Sequence, residues 1–468
     1  MKILSLALVL GAAPLFAQPV FTDVFPPAEY AARRAQVIAK IGDGVAIVEG
    51  TTERPGEQPL RQANQFFYLS GVVEPRAILV IDGRSHKSTL YLQPYNERRD
   101  KMMFGPGLAP GAEAAKATGI DEVLARDRFH VANEARTIFT PFRPEVLGSA
   151  SSSDPATLWR NNKADAWDGR SSSEEAFISH LKEAAPQAKI ENLDPILDEL
   201  RGTKSVREIA VIREATRITG LGIIEAMRDA KPGMYEYELQ ADAEFVFKKF
   251  GAYGAAYFAL IGTGQNTWYS HYHRDTAKLA DGDLVQFDYA PDYKNYSSDV
   301  TRVFPANGKF TAKQREFYGI YLKLYQALMT SIEVHKRPSE VIQNAVKKMD
   351  AIMAAYPFTD DHIKAAAVAF VERYRTSKAN SLGHTVGMEV HDVRNPTQTL
   401  EPGQIFTIEP AMQIPEEHVG IRLEDMLLIT ETGYENLSAF VPIEIADIEK
   451  TMAGHHGLSD ALYRKDLK

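Results

Sequence analysis

The sequence predicts an α/β domain followed by a larger α+β half in which helices pack on a largely antiparallel sheet. Three observations carry that prediction. From about Tyr30 to Ala188, short apolar runs ended by glycine alternate with helical stretches. Beyond Gly202-Thr203-Lys204, long amphipathic helices open on capping signatures. Between those helices lie strands whose apolar residues are interrupted by ionisable ones.

The first residues, "MKILSLALVLGAAPLFAQPV", place Lys2 before an apolar run from Ile3 to Phe16 and then Ala17. That order is the pattern of a cleavable secretory signal over residues 1–17, with Leu15 at the third position before the cut. The run is short for a bilayer span of about 20 residues. No later segment is long and apolar enough to serve as one. The expectation is an exported chain, periplasmic or extracellular, with no membrane attachment once mature.

Residues 18–195 form the expected α/β domain. "GVAIVEG", "AILVIDG" and "STLYLQP" read as strands, and "SSEEAFISHLKEAAP" as an amphipathic helix with early acids. No catalytic cluster stands out there; His130 reads as a surface or packing residue. Residues 196–468 form the second domain. Ser205 with Glu208 makes a capping box ahead of a long helix, and Thr311 with Gln314 repeats the device. "MYEYELQADAEFVFKKFGA" is a helix closed by Gly251, and Pro338 precedes another. His455-His456, in the polar tail, reads as solvated. Gly262–Asn266, "GTGQN", lacks the strand–helix context of a phosphate loop and reads as a turn near a substrate cleft.

Composition narrows the function. The 468 residues carry a formal net charge of −9 and no basic stripe, which disfavours nucleic acid. There is no cysteine, so disulfides, thiolate catalysis and thiolate metal sites are excluded. Any metal must be held by carboxylates and imidazoles.

Four stretches of the second domain place such groups beside strand residues. "QFDYAPDYKNYSSDVTRVF" reads as a hairpin symmetric about Tyr293–Lys294, which sets Asp288 opposite Asp299 on one face. "NSLGHTVGMEVHD" carries His384 and His391 among glycines. "IFTIEPAM" is a strand ending in Glu409. "GIRLEDMLLI" holds Arg422 and Glu424 two apart, hence on one side. Four carboxylates sharing a dry site cannot all ionise without a countercharge. Divalent cations supply it, and two suit four carboxylates better than one. Oxygen ligands with a single nitrogen favour manganese, then cobalt, iron or zinc. Such a pair of ions points to metal-assisted hydrolysis.

The ordered set Asp288…Asp299, Gly383-His384…His391-Asp392, Ile408-Glu409-Pro410 and Gly420-Ile421-Arg422-Leu423-Glu424-Asp425 resembles the proline-specific metallopeptidases of the pita-bread superfamily, aminopeptidase P and prolidase. "YAARRAQVIAKI", "NQFFYLSGVVEPRAILVI" and "RGTKSVREIAVIREA" resemble that family's N-terminal domain and its junction, so the likeness spans nearly the whole mature chain. The resemblance implies a C-terminal pita-bread fold behind a creatinase/aminopeptidase-P-like α/β domain. It implies that Asp299 and Glu424 bridge two metals, that Asp288 holds one of them, and that His384 with Glu409 completes the other. Glu409 is implied as general base. His271 and His391 are implied as histidines facing the substrate, and Arg422 as the cation that orients the carboxylates.

One position departs from the family. Asn380 stands where it commonly has a histidine, four residues before the ligand histidine. That histidine is associated with the substrate's proline side and with proton movement. The substitution therefore bears on Xaa-Pro preference and on rate, and leaves the metal set intact.

The expected activity is an Xaa-Pro aminopeptidase acting on peptides with proline second. The alternatives are a prolidase with the same metal centre and a non-catalytic binding protein on the same fold. The family is often dimeric or tetrameric, but nothing in this chain fixes a homo-oligomer interface.

Overall fold

A computed structural model describes residues 24–53, 59–94, 96, 98, 107–148, 150–394 and 397–454. The expected leader, residues 1–17, and the His455-His456 pair lie outside them. Two compact units emerge. One runs to Thr140 and includes Ile178–Glu191; the other comprises Pro141–Phe177 and the residues from Asn192 onward. The sequence reading divides the chain once, after residue 195. The chain instead crosses at Thr140 and Phe177 as well as after Glu191. Hydrogen bonding explains part of this. The backbone N–H groups of Phe142 and Arg143 both donate to Asp194, and the Arg143 guanidinium grips Asp198.

The first unit is built on a six-stranded mixed sheet. Its order is Glu122–Ala125, Lys87–Leu92, Ile78–Asp82, Val45–Glu49, Thr137–Thr140, Lys189–Asn192. The three strands expected from apolar runs lie side by side in it, paired antiparallel. Pro27–Ile41 is a helix with proline in its first turn, where a missing N–H costs nothing. It buries Arg33 and Arg34, which donate to Tyr68 O and Leu69 O at the C-terminal end of the helix Asn64–Ser70. The last carbonyls of a helix lie beyond the reach of its own N–H donors, and here the two guanidinium groups donate to them.

The second unit matches the expected α+β class. Its sheets are antiparallel: Thr301–Pro305 with Leu284–Asp288 and Leu260–Thr263, then Ile405–Ile408 with Asp425–Thr430 and Gly433–Asn436. Ala411–Ile414 pairs with Val419–Arg422. The helices Val206–Asp229, Glu236–Lys249, Ala312–Met329, Pro338–Ala355 and Asp361–Arg375 each contribute buried apolar side chains. Both expected capping boxes form, at Ser205/Glu208 and Thr311/Gln314. "GTGQN" opens a short 3-10 turn, Gly264–Trp268. No helix among the described residues is long and apolar enough to cross a membrane.

The helices Val206–Asp229 and Glu236–Lys249 pack closely at Gly222, where an added Cβ would lie 2.8 Å from the Phe247 ring. Asp242 is buried in this pair. Burial, then the charges of Asp229 and Glu225, a hydrogen bond to Asp229 and the charge of Glu238 push its carboxyl up to about 8. Lys231 Nζ lies 3.7 Å from Asp229 and offsets part of this repulsion. A carboxyl whose pKa is raised by folding stabilises the fold fully below its unfolded value, about 4, and loses that contribution as pH rises through its folded value. The melting temperature should therefore decline between about pH 5 and pH 8 in part through this group. Asp242→Asn should flatten the decline and raise Tm at about pH 8 by on the order of 2 °C, read by thermal denaturation.

Candidate metal centre

The aspartate hairpin is real, but its register differs from the one expected. Asp288 pairs with Thr301, and the tip pairs Tyr293 with Tyr296. Lys294 and Asn295 between them both have positive φ, 55° and 66°. A two-residue turn of that hand matches the twist of the strands it joins. The centre thus falls between Lys294 and Asn295, one position later than Tyr293–Lys294. Moving the centre by one moves each partner by two, and a shift of two preserves the face. Asp288 and Asp299 therefore still converge, diagonally. The buried Tyr257 hydroxyl lies 2.6 Å from Asp288 Oδ1 and 2.8 Å from Asp299 Oδ1. It carries one proton and donates to one carboxylate at a time. Tyr289 turns elsewhere, its hydroxyl donating to Glu244.

The other three side chains reach the same place from separate elements. His384 follows Gly383, which packs directly on the Thr407 carbonyl, and the His384 carbonyl accepts from the Thr407 N–H at 2.9 Å. His384 Nε2 then lies 3.4 Å from Asp299 Oδ2, 3.4 Å from Glu409 Oε1 and 3.7 Å from Glu424 Oε1. Glu409 leaves the end of the strand Ile405–Ile408. Glu424 sits between Val419–Arg422 and Asp425–Thr430. Its N–H donates to Thr301 O at 3.1 Å, and Thr301 Oγ1 donates to its Oε2 at 2.8 Å. The opposite oxygen, Glu424 Oε1, is buried without a hydrogen-bond donor. Arg302, fully buried, donates to the Glu424 carbonyl and to Asp425, and so fixes the turn that aims Glu424. Arg422 pairs with Asp288 and lies 3.8 Å from Glu409 Oε2.

This crowd is electrostatically unbalanced. Burial and the charges of Glu424 and Asp288 push Asp299 well above the usual carboxylate range. Burial, followed by Glu424, pushes Glu409 up to about 7. Burial also works against ionised Glu424, but the nearby His384 imidazole and the Arg422 charge outweigh it and hold Glu424 at about 2. One guanidinium and one imidazole are too few cations for four carboxylates. Two overlapping groups, Asp288/Asp299/Glu424 and His384/Glu409/Glu424, each offer ligand atoms within 4.8 Å of one another. The unpartnered Glu424 Oε1 and this oxygen-rich donor set fit divalent cations, and the five residues could hold them.

His391 stacks on His384, ring centroids 3.8 Å apart and planes 15° from parallel. The His391 backbone N–H donates to Ala150 O, which brings Ser151 against the histidine loop. Burial, then the His384 charge, hold His391 down to about 4, so its imidazole is neutral at pH 7. His271 is exposed on the segment after the 3-10 turn, close enough for its charge to add to that depression. A cavity of about 1020 Å³ opens beside the two loop histidines; its lining includes Ser151, Asn380, Arg143, Arg337 and Arg394.

Sequence reasoning missed Tyr257, Thr301, Arg302 and Ser151. Thr301 alone had a visible signal, lying two residues from Asp299 and so on the same strand face. Removing the Tyr257 hydroxyl leaves two facing carboxylates without their shared donor. Tyr257→Phe should weaken Mn²⁺ binding by about 10-fold, measured as metal retained after dialysis against graded chelator.

Comparison with known proteins places residues 210–431 in metallopeptidase family M24 and residues 30–137 in the aminopeptidase P N-terminal domain. The Xaa-Pro aminopeptidase of Escherichia coli (strain K12) is 30% identical over 454 residues, covering 91% of this chain and 97% of the relative. That of Haemophilus influenzae is 30% identical over 452 residues, with the same coverage of 91% and 97%. Among solved structures, Escherichia coli aminopeptidase P with the inhibitor Pro-Leu matches at a TM-score of 0.72, with 28% identity, over 92% of this chain and 99% of that one. A putative aminopeptidase P from Bacillus anthracis matches at 0.75, with 26% identity and coverage of 92% and 99%.

Proposed function

We propose, on the premise that this chain belongs to metallopeptidase family M24 and is a metal-dependent exopeptidase, that it is exported and removes the first residue from peptides with proline second. The observation that carries the reading is the convergence of Asp288, Asp299, His384, Glu409 and Glu424 on one another. A fold kept only for binding would not need an arrangement whose carboxylates repel. Asp288, Asp299, His384, Glu409 and Glu424 would hold the divalent cations, as two overlapping groups that share Glu424. Manganese is the first choice on ligand chemistry.

Lewis-acid polarisation of the scissile carbonyl and a more acidic water are what bound cations supply there. The chain's own residues do the rest. Glu409 is 30% exposed, against 7% or less for Asp288, Asp299 and Glu424. It is therefore the carboxylate able to exchange protons with the cleft. Glu409 accepts the proton of the attacking water and returns it to the departing proline nitrogen. Arg422, held between Asp288 and Glu409, keeps the latter oriented while its charge changes. His391, neutral and stacked, presents a ring N–H to the substrate carbonyl oxygen as negative charge develops. His271 serves the same side of the substrate from the exposed segment.

Similarity to Xaa-Pro aminopeptidases over 91% of this chain favours an aminopeptidase over a dipeptidase. Asn380 lines the cavity beside His384 and His391. Export rests on the order of Lys2, the apolar run Ile3–Phe16 and Ala17.

With added Mn²⁺, the purified protein should release the first residue of an Xaa-Pro-Yaa peptide faster than it splits the dipeptide Xaa-Pro. Asp299→Ala should lower the rate by at least about 10³-fold. Inactivity on such peptides with Mn²⁺, Co²⁺ and Zn²⁺ alike would sink the reading, and preference for the dipeptide would make it a prolidase. Separately, N-terminal sequencing of protein recovered from outside the cytoplasm should begin at Gln18. An intact Met1 there would exclude cleavage.

A further inference from the structure

The segment "RGTKSVRE", Arg201–Glu208, reads in sequence as a break between domains followed by a helix start. Its buried side chains do something more specific. Arg201 Nη2 donates to Glu389 Oε1 at 3.0 Å and to Asp392 Oδ1 at 2.5 Å. Lys204 Nζ donates to Asp392 Oδ2 at 2.9 Å. Arg201, Lys204 and Asp392 are each 1% exposed at the side chain, and Glu389 is 2% exposed. Two cations and two carboxylates thus neutralise one another out of water. Such a set holds its geometry because losing any member strands a buried charge.

What the set holds is the histidine loop. Asp392 follows His391 directly, and its N–H donates to Thr385 O, next to His384. Thr385 Oγ1 returns a bond to Asp392 O at 2.9 Å. Gly387 lies hard against the Asp392 carboxylate, where no side chain could fit. The loop is therefore folded around Asp392, and it carries the stacked His384 and His391.

The same segment reaches the aspartate hairpin. Glu208, the second half of the capping box, takes the Ser205 N–H on one oxygen and the Tyr296 hydroxyl on the other, at 2.9 Å each. Tyr296 closes the hairpin tip beyond Asp288 and Asp299. Ser297, the next residue, donates its N–H to Gly387 O at 2.8 Å and joins the hairpin to the histidine loop.

We infer that Arg201, Lys204 and Glu208 form a positioning clamp that sets the aspartate hairpin and the histidine loop at the spacing cation binding requires. The inference rests on the metal-centre reading above but assigns residues outside it. These are positioning residues. They act through Asp392 and Tyr296.

The test titrates Mn²⁺ into chelator-treated, full-length protein by calorimetry. Tyr296→Phe removes one hydroxyl at the tip, and Lys204→Met removes one buried charge. Affinity should fall by about 10-fold in Tyr296→Phe and by about 10- to 100-fold in Lys204→Met. The loss in the double variant Lys204→Met/Asp392→Asn should fall short of the sum of the two single losses, because both substitutions remove the Lys204–Asp392 contact; a strictly additive loss would overturn the coupling. A purely structural role would lower the melting temperature and leave Mn²⁺ affinity at the wild-type value. That result in both single variants overturns the clamp. Should Lys204→Met fail to fold, Tyr296→Phe decides alone, and wild-type affinity there overturns it. Wild-type protein that takes up no Mn²⁺ overturns the metal centre and the clamp together; wild-type binding with unaltered variants overturns the clamp only.

Discussion

Mutual repulsion among Asp288, Asp299, Glu409 and Glu424 is the constraint on which the second unit is organised. Left to themselves, four desolvated carboxylates move apart or take up protons. Each is instead held by a neighbour that cannot easily leave. Tyr257 bridges the two aspartates, Thr301 and Arg302 anchor Glu424 at its side chain and carbonyl, and Arg422 spans Asp288 and Glu409. The strands and helices around them supply the rigidity that this packing of like charge demands. The pita-bread arrangement suits the task because antiparallel strands from three sheets end at one place.

Much of this was readable before any coordinates. The alternation of apolar and ionisable residues marked the strands, and the S-x-x-E and T-x-x-Q pairs marked two helix starts. The five converging side chains were visible as charges placed where a strand has no use for them. The hairpin register was not. A lysine at positive φ is uncommon, so "YKNY" does not announce its turn as an Asn-Gly pair would. The face survived that error because the side-chain period of a strand is two.

What sequence reasoning could not reach were contacts between distant segments. Nothing about Tyr257 says that its hydroxyl meets residues 31 and 42 positions away. Ser151 lies in a stretch assigned by position to the N-terminal domain, yet it packs on the loop of His391. Arg201 and Lys204 look like the ordinary polar punctuation of a linker. Burial alone distinguishes them, and burial is a property of the whole fold.

Those separations also set a schedule. Arg201 meets Asp392 across 191 residues, and Arg422 meets Asp288 across 134. Contacts so remote in sequence form late, after the closing of long loops has been compensated elsewhere. A growing chain therefore carries Asp288 and Asp299 long before Glu409 and Glu424 can join them. No folding intermediate that lacks the final strands holds the complete set. Catalytic competence is then a report that folding has finished, and a half-made chain has no working peptidase centre to turn on its neighbours.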